Sequence, residues 1–228
     1  YSGSNAGKNT TATFSAAGTY VLTVRVEDTT GQTCSSQVTV SVGQTPAAAP
    51  TLTTIRRNGS AALAGTSLRL ANGLNKAGSA FSATKVRVAK FNTSFQFRLT
   101  GTGSNGFTFA MQGQGATALG TAAGLGYAGL APAVAVRFDA ANGRLTVNSN
   151  GTVLGQVNLK TAGLDLRSGH VFRSQVSYNG SALTVTLRDA TTGRSVVLRV
   201  NVNVAAIVGG PSAFIGFTGG TGKTNGVV

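Results

Sequence analysis

Arg137 and Asp139 lie two residues apart in the alternating segment AVAVRFD, which spans residues 133–139. Residues i and i+2 of a strand point to the same face, so two carboxylates at this spacing can share one Ca²⁺ or Mn²⁺ ion. Here a guanidinium replaces one of the carboxylates, and it repels a divalent cation while giving Asp139 a counter-charge. We therefore expect no metal cofactor. Asp139 is at most a weak candidate ligand, and Ca²⁺ binding is disfavoured.

The acidic residues are too few for hydrolysis of glycosidic bonds. Glycosidases use two carboxylates that flank the scissile bond, yet the chain after residue 50 contains only Asp139, Asp165 and Asp189. The single histidine, His170, follows Asp165 and Ser168, but neighbours on one turn rarely converge on a common atom. We interpret His170 as structural and predict a protein that is not an enzyme and has no catalytic residues.

Alternation with a period of two dominates the chain and predicts antiparallel β-structure. No stretch shows a convincing helical period over three turns, and one long strand is predicted from Val196 to Val204. The fold class we predict is an all-β antiparallel sandwich without significant helix. Its predicted core residues share the inward phase of their strands and are Phe95, Phe97, Phe107, Phe109, Val136, Phe138, Val176, Leu183, Val185 and Leu187.

Asn-Gly pairs are the strongest short signal for hairpin turns. Seven of them occur, beginning at Asn58, Asn72, Asn105, Asn142, Asn150, Asn179 and Asn225. Tyr178-Asn179-Gly180-Ser181 is the clearest case, because it separates two alternating runs. The sequence alone leaves open whether the pairs at Asn105 and Asn142 are turns or binding groups.

Residues 1–43 are predicted to contain about three strands, two of which alternate on either side of the turn Asp28-Thr29-Thr30-Gly31. Tyr20, Leu22, Val24 and Val26 share one face of the first strand. This pattern resembles the C-terminal half of a PKD or immunoglobulin-like repeat of bacterial surface proteins. A whole module has about seven strands, so we expect a partial module that does not fold alone. Residues 44–50, QTPAAAP, are predicted to be a linker, and residues 51–228 are predicted to form the sandwich.

Residues 104–139 carry a more specific resemblance. An alternating strand, SNGFTFAMQ, leads into the Gly/Ala-rich stretch GQGATALGTAAGLGYAGLAP, and a second strand ends at Phe138-Asp139. This order is similar to the legume-lectin (L-type lectin, concanavalin A-like) domain in its bacterial form. The resemblance extends through most of residues 66–222 and implies a lectin jelly roll that lacks its last strand.

The resemblance also implies where a sugar binds. The family reads sugar hydroxyls with a carboxylate, a backbone N–H of a Gly-rich loop and an Asn amide, and an aromatic ring stacks on the sugar. The matching positions here are Asn105, Gly106, Ala123, Gly124, Tyr127 and Asn142, with Phe107 as a second nearby aromatic. Asn105-Gly106 replaces the usual Asp-Gly, and Arg137 replaces a frequent Glu. An amide still pairs with hydroxyls but loses the stronger charge-assisted bond.

The net charge of +14 and the single cysteine, Cys34, limit the functions and partners that the sequence allows. We expect a surface or extracellular protein that binds glycans or cell-surface polysaccharide in adhesion. One alternative is a structural building block with a degenerate sugar site, whose partners are other copies of itself or further Ig-like domains of a longer chain. Another is polyanion binding through the positive field. The sequence contains no run of about 18 apolar residues, so it predicts no membrane span.

Overall fold

The computed structural model describes residues 13–14, 18–42, 54–223 and 225–228. The predicted linker, residues 44–50, lies outside these ranges. The chain divides into two compact units, Tyr1–Ala48 and Ala49–Val228. The assignment of the first unit to a PKD or Ig-like module stays a prediction.

The described part of the first unit contains one antiparallel hairpin, in which β1 (Gly18–Glu27) pairs with β2 (Thr33–Val42). The predicted turn between them is confirmed. Asp28 Oδ1 accepts hydrogen bonds from the backbone N–H of Thr30 at 2.8 Å and of Gln32 at 2.9 Å. The Thr30 hydroxyl donates to the same oxygen. This bond first, and then the two backbone bonds, hold the pKa of the exposed Asp28 below its usual value.

The second unit is built almost entirely of strands. Its elements, in chain order, are β3 (Ile55–Gly59), β4 (Ala62–Ala64), β5 (Ser67–Arg69), β6 (Asn72–Gly73), β7 (Ala77–Ser82), β8 (Val86–Arg87), β9 (Phe91–Phe97), β10 (Ser104–Gln112), β11 (Ala133–Asp139), β12 (Arg144–Ser149), β13 (Thr152–Asn158), β14 (Phe172–Tyr178), β15 (Ala182–Asp189), β16 (Ser195–Asn201), α1 (Val204–Val208), β17 (Ser212–Thr221) and β18 (Gly226–Val227).

Two antiparallel sheets form the layers of the sandwich. The front sheet has the order β13-β12-β11-β10-β17-β7-β3, and β8 also pairs with β17. The back sheet has the order β16-β15-β14-β9. Two short pairs, β4-β5 and β6-β18, lie beside them. The predicted antiparallel β-sandwich is confirmed.

An aromatic cluster joins the two sheets. The ring of Phe95 on the back sheet lies between 4.9 and 6.1 Å from four front-sheet rings, namely those of Phe107, Phe109, Phe138 and Phe217. Phe138 is fully buried and stacks on Phe107 with ring centroids 4.6 Å apart. Such aromatic contacts add to the free energy gained by burying the rings.

Eight of the ten predicted core residues are buried, which confirms the phase of the strands. The other two, Phe95 and Phe97, are only half-buried. The physical reason is their position on β9, the edge strand of the back sheet. There they line an open cleft of about 530 Å³ between the layers.

The predicted strand from Val196 to Val204 is too long. β16 ends at Asn201, and the short helix α1 begins at Val204 after Asn203 as N-cap. The Asn203 side chain accepts a hydrogen bond from the backbone N–H of Ala206 at 3.0 Å, which is the usual role of an N-cap. Gly209, with φ of +82°, ends the helix in the left-handed conformation. Among the described residues no helix is long and apolar enough to cross a membrane.

His170 pairs with Asp189 and not with the nearer Asp165. Its Nδ1 lies 2.8 Å from Asp189 Oδ2, and the ionised carboxylate only accepts, so Nδ1 donates. Asp189 also accepts from the backbone N–H of Thr191 at 2.8 Å and of Thr192 at 3.2 Å. Burial raises the pKa of Asp189, but the bond from His170 and the backbone bonds outweigh it and lower the pKa to about 2. The pair fixes the turn after β15, which is a structural role.

Replacing Phe138 by alanine should lower the free energy of unfolding by about 3–5 kcal/mol, because it leaves a cavity where the ring meets Phe107. Denaturant unfolding monitored by circular dichroism measures the loss. Val197→Ala is the matched control, since Val197 is 60% exposed on the back sheet and should change stability by less than about 0.5 kcal/mol. A loss below about 1 kcal/mol in Phe138→Ala would contradict the packing described.

Asp189→Asn should lower the free energy of unfolding by about 2–3 kcal/mol at neutral pH, because it removes charge-assisted hydrogen bonds. The folded-state pKa of about 2 lies below the ordinary value of 3.8. The stabilising contribution is therefore complete above pH 3.8 and disappears as the pH falls through about 2. Unfolding titrations at several pH values should show the two proteins converging in this window. A difference in stability that is independent of pH would contradict the assignment.

Candidate functional site

A long loop, residues 113–132, lies over the outer face of the front sheet, and we call it the cover loop. Three front-sheet side chains donate hydrogen bonds to its carbonyls, namely Asn58 to Ala116 at 2.9 Å, Ser79 to Ala118 at 2.7 Å and Thr218 to Leu125 at 2.7 Å. These bonds satisfy polar groups that the loop would otherwise bury, so the loop is fixed on the sheet.

The cover loop touches the sheet backbone at Gly220 of β17. A Cβ at this position would lie 2.1 Å from the carbonyl oxygen of Ala122, so only glycine permits the contact. Gly220 pairs with Gly106 on β10, and Gly106 pairs with Asp139 on β11. Neighbouring strands are about 4.8 Å apart. The Gly-rich segment, Asn105-Gly106 and the end of β11 therefore meet at one end of the front sheet.

Asn105 is not in a turn. It lies near the start of β10, where the register with β17 shifts between Ser104 and Gly106. Its carbonyl accepts hydrogen bonds from the backbone N–H of Ala140 at 2.9 Å and of Ala141 at 3.2 Å. Its half-buried side-chain amide lies beside Gly222 and makes no hydrogen bond with any residue that the structure describes. This amide is available to a ligand.

The backbone conformation and the packing require glycine at position 106. Its φ is +129°, and a Cβ would lie 2.0 Å from the carbonyl oxygen of Phe138. Glycine is needed here for the close approach of β11, which places Asp139 beside Asn105.

Asn142 is held by Asp139 in the turn between β11 and β12. Its backbone N–H donates to Asp139 Oδ1 and its Nδ2 to Oδ2, both at 2.9 Å. The turn interpretation of Asn142-Gly143 is thus confirmed. The structure brings Asn142 to the same end of the sheet as Asn105, but one of its amide N–H groups is already used. Its side-chain oxygen and its second amide N–H remain open to a ligand.

Asp139 is surrounded by cationic groups. Arg137 Nη2 lies 3.6 Å from Asp139 Oδ2, and Arg144 is the direct cross-strand partner of Asp139. Asn142 occupies both carboxylate oxygens. The described residues contain no group of three or more His, Cys, Asp or Glu that suits a metal ion. The Asp139 oxygens do not fit the divalent cation implied by the family resemblance, since the Arg137 guanidinium beside them would repel it.

Ala123 and Gly124 lie at the exposed turn of the cover loop. The backbone N–H of Gly124 is used within the loop, where it donates to Thr121 at 3.2 Å. The N–H of Ala123 has no acceptor in the described part of the chain, and the residue is exposed. Ala123 therefore supplies the open backbone donor, while Gly124 permits close packing on Ala128.

The structure buries Tyr127, so it does not stack on a sugar at this site, and the nearby Phe107 is in the core as its strand phase predicts. Tyr127 is 2% exposed and packs under the cover loop, and Phe107 is 3% exposed within the sandwich core. The reason is the left-handed backbone of Leu125, with φ of +60°, and of Gly126, after which the chain turns Tyr127 inward. Burial raises the pKa of Tyr127, and its hydroxyl accepts from the backbone N–H of Gly151 at 3.3 Å.

Two basic side chains that the motifs did not indicate flank the site. Arg167 Nε donates to the carbonyl of Ser104 at 3.1 Å, directly before Asn105. The aliphatic chain of Lys160 lies beside Gly143, directly after Asn142. Both lie far from the site in sequence, so no local pattern indicates them. They make this end of the sheet electropositive.

Comparisons with known proteins agree with this architecture. A family model described as the legume lectin domain matches residues 49–227. Lectin II from Ulex europaeus superposes with a TM-score of 0.66 at 22% identity, covering 79% of this chain and 92% of the lectin. Arcelin-5, a lectin-like defense protein from Phaseolus vulgaris, gives 0.66 at 18% identity, covering 76% and 88%. The metal-free form of lectin I-B4 from Griffonia simplicifolia gives 0.65 at 22% identity, covering 80% and 92%.

A comparison with curated proteins finds no match. The identities to solved structures are low, so those structures show the fold, the β-sandwich of the lectin jelly roll. The family model spans most of the chain, including both sheets, the cover loop and the site. The chain therefore belongs to the legume lectin domain family.

Proposed function

We propose that this protein binds a carbohydrate, without catalysis, at the end of the front sheet formed by Asn105, Ala123 and Asn142. The observation that carries the proposal is the half-buried amide of Asn105, which is unpaired among the described residues and lies where three segments converge. Membership of the family supports it. Two solved relatives are described as lectin UEA-II complexed with galactose and a Bauhinia forficata lectin in complex with GalNAc.

The three groups have complementary hydrogen-bonding properties. Asn105 offers a carbonyl oxygen as acceptor and an NH₂ group as donor. The Ala123 N–H is a donor, and the Asn142 side-chain oxygen is an acceptor. A sugar hydroxyl both donates and accepts, so adjacent hydroxyls of one pyranose match such a set. Both aromatic candidates are buried, and the bound sugar is thus held by polar contacts without a stacking ring.

The site works without a divalent cation. In place of a metal, the Arg137 guanidinium provides the counter-charge to Asp139, and Asp139 in turn orients Asn142 through two hydrogen bonds. The positioning of Asn142 is therefore built from side chains of β11 and its turn. Neutral amides give weak single-site affinity, and useful binding needs repeated sites along a glycan-bearing surface.

The wider setting follows from the same proposal. Binding of glycans or cell-surface polysaccharide suits a protein of the extracellular space or cell surface, with a role in adhesion and a bacterial source. The first unit then serves as part of a PKD or Ig-like module. Its hairpin exposes apolar side chains, among them Val24 at 62% and Val26 at 60%. This exposure favours the alternative of a building block in a surface assembly.

Asn105→Ala should weaken glycan binding about 5- to 100-fold, because it removes hydrogen bonds worth about 1–3 kcal/mol. A glycan array identifies a neutral binding sugar, and calorimetry with that sugar measures the change. Asn201→Ala, an exposed amide on the back sheet, is the matched control and should bind as the parent does. EDTA should leave the affinity of the parent unchanged. Equal affinity of Asn105→Ala and the parent would place the sugar elsewhere, and loss of binding in EDTA would contradict the metal-free mechanism.

Arg137→Glu should create a response to calcium that the parent lacks, since it restores two carboxylates at i and i+2 on one face. In EDTA the melting temperature of Arg137→Glu should lie below that of the parent, by about 2–4 °C for each kcal/mol of lost ion pairing and added repulsion. Millimolar CaCl₂ should then recover part of this loss.

Arg137→Gln is the control, because it removes the cation without adding a ligand, and it should not respond to calcium. Differential scanning fluorimetry with and without CaCl₂ measures all three proteins. A parent protein whose melting temperature rises with calcium would show that Arg137 does not replace the cation.

A further inference from the structure

The outer face of the back sheet carries an array of basic and hydrogen-bonding side chains, which we call the basic face. The strand registers arrange its outward side chains in three rows across β9, β14, β15 and β16. The rows are Gln96-Arg173-Arg188-Ser195, Ser94-Gln175-Thr186-Val197 and Asn92-Ser177-Thr184-Arg199. Only Val197 among these twelve is apolar. The face is thus composed of arginines, amides and hydroxyls.

Two like charges lie directly opposite each other on this face. Arg173 on β14 is the cross-strand partner of Arg188 on β15, and both side chains are exposed. Like charges at such a position destabilise the pair of strands. A bound anion removes this repulsion and accepts hydrogen bonds from both guanidinium groups.

No carboxylate of the protein neutralises the basic face. All five acidic residues lie within the described ranges, and none forms an ion pair with Arg173, Arg188 or Arg199. Asp189 follows Arg188 but points into the core, where it binds His170. The positive charges of the face are therefore available to an external partner.

We propose that the basic face binds a linear acidic polysaccharide through carboxylate or sulfate groups. The Arg173–Arg188 pair takes one anionic group, and Arg199 takes another. Arg199 lies opposite Thr184, four residues along β15 from Arg188, which is a separation of about 14 Å. A single small anion cannot span this distance, whereas a polymer does.

The side chains between the arginines favour a polysaccharide over a nucleic acid. Gln175, Thr184 and Thr186 offer donors and acceptors for ring hydroxyls along the path. Proteins that bind single-stranded nucleic acid stack the bases on exposed aromatic rings, and no aromatic residue is among the twelve outward positions. A flat sheet face also has no element that enters a groove of duplex DNA. The inference stands independently of the sugar site on the front sheet.

The test compares two double variants that each remove two positive charges. Arg173→Gln/Arg188→Gln changes the basic face. Arg56→Gln/Lys85→Gln changes exposed positions on β3 and in the turn after β7, on the other layer. Binding of polygalacturonate to the full chain is measured by biolayer interferometry over a range of salt concentrations, with a neutral galactan and oligo(dT) of equal charge as further probes.

The parent and the Arg56/Lys85 variant should bind polygalacturonate, and the Arg173/Arg188 variant should bind it about 10-fold or more weakly with a smaller salt dependence. Binding to the neutral galactan should not differ between the variants. Equal losses in the two variants would show that only net charge matters and would overturn the proposal. Binding of oligo(dT) as tightly as polygalacturonate would overturn the assignment to polysaccharide.

Discussion

The site depends on a close backbone contact between the cover loop and the front sheet. At Gly220 the carbonyl of Ala122 occupies the space in which any other residue would carry its Cβ. This contact brings the exposed N–H of Ala123 toward Asn105, because Gly220 and Gly106 are cross-strand partners. Hydrogen bonds from the sheet then keep the loop in place. Gly120 and Gly124 of the loop likewise leave no room for a Cβ, so several glycines of this segment serve close packing.

Electrostatics at the end of β11 decide what kind of site this is. In a cation-dependent arrangement, several oxygen ligands converge on a metal ion and the metal fixes the surrounding loop. Here the charged group beside Asp139 is the Arg137 guanidinium, and an oxygen of Asp139 accepts a hydrogen bond from the backbone of the turn. The same aspartate that would be a ligand has become the acceptor that shapes the turn carrying Asn142. The fold of the family is retained, and under the proposed function the Asn142 amide is positioned by Asp139 and Arg137.

The sequence predicts well those features that depend on local periodicity and on turn residues. The strand phase and the turns at Asp28, Asn142 and Asn179 follow from such signals, whereas the expectation that Asn105 and Asn142 lie at one site rests on the family resemblance. The burial of Tyr127 does not, because it depends on the positive φ of Leu125, a conformation with no reliable signal for that residue type.

Contacts between residues distant in sequence, and competing local patterns, account for the other differences between the predictions and the structure. The partner of His170, Asp189, is 19 residues away across a hairpin, so no local pattern indicates it. At Val202 and Val204 the alternation of apolar residues continues past the end of β16, although Asn203 and Gly209 mark the ends of a helix. There the capping residues outweighed the period-two pattern.

The protein is basic because nineteen lysines and arginines face only five acidic residues, and most of these acids lie in turns. Four of the five accept hydrogen bonds from backbone N–H groups two to four residues later, namely Asp28, Asp139, Asp165 and Asp189. Each of these carboxylates is therefore committed to a turn and contributes little to surface neutralisation elsewhere. On the back sheet Arg173 and Arg188 have no such local role, and the strand register places them side by side. Excess positive charge therefore remains, and three of its side chains, Arg173, Arg188 and Arg199, lie exposed on the outer face of the back sheet.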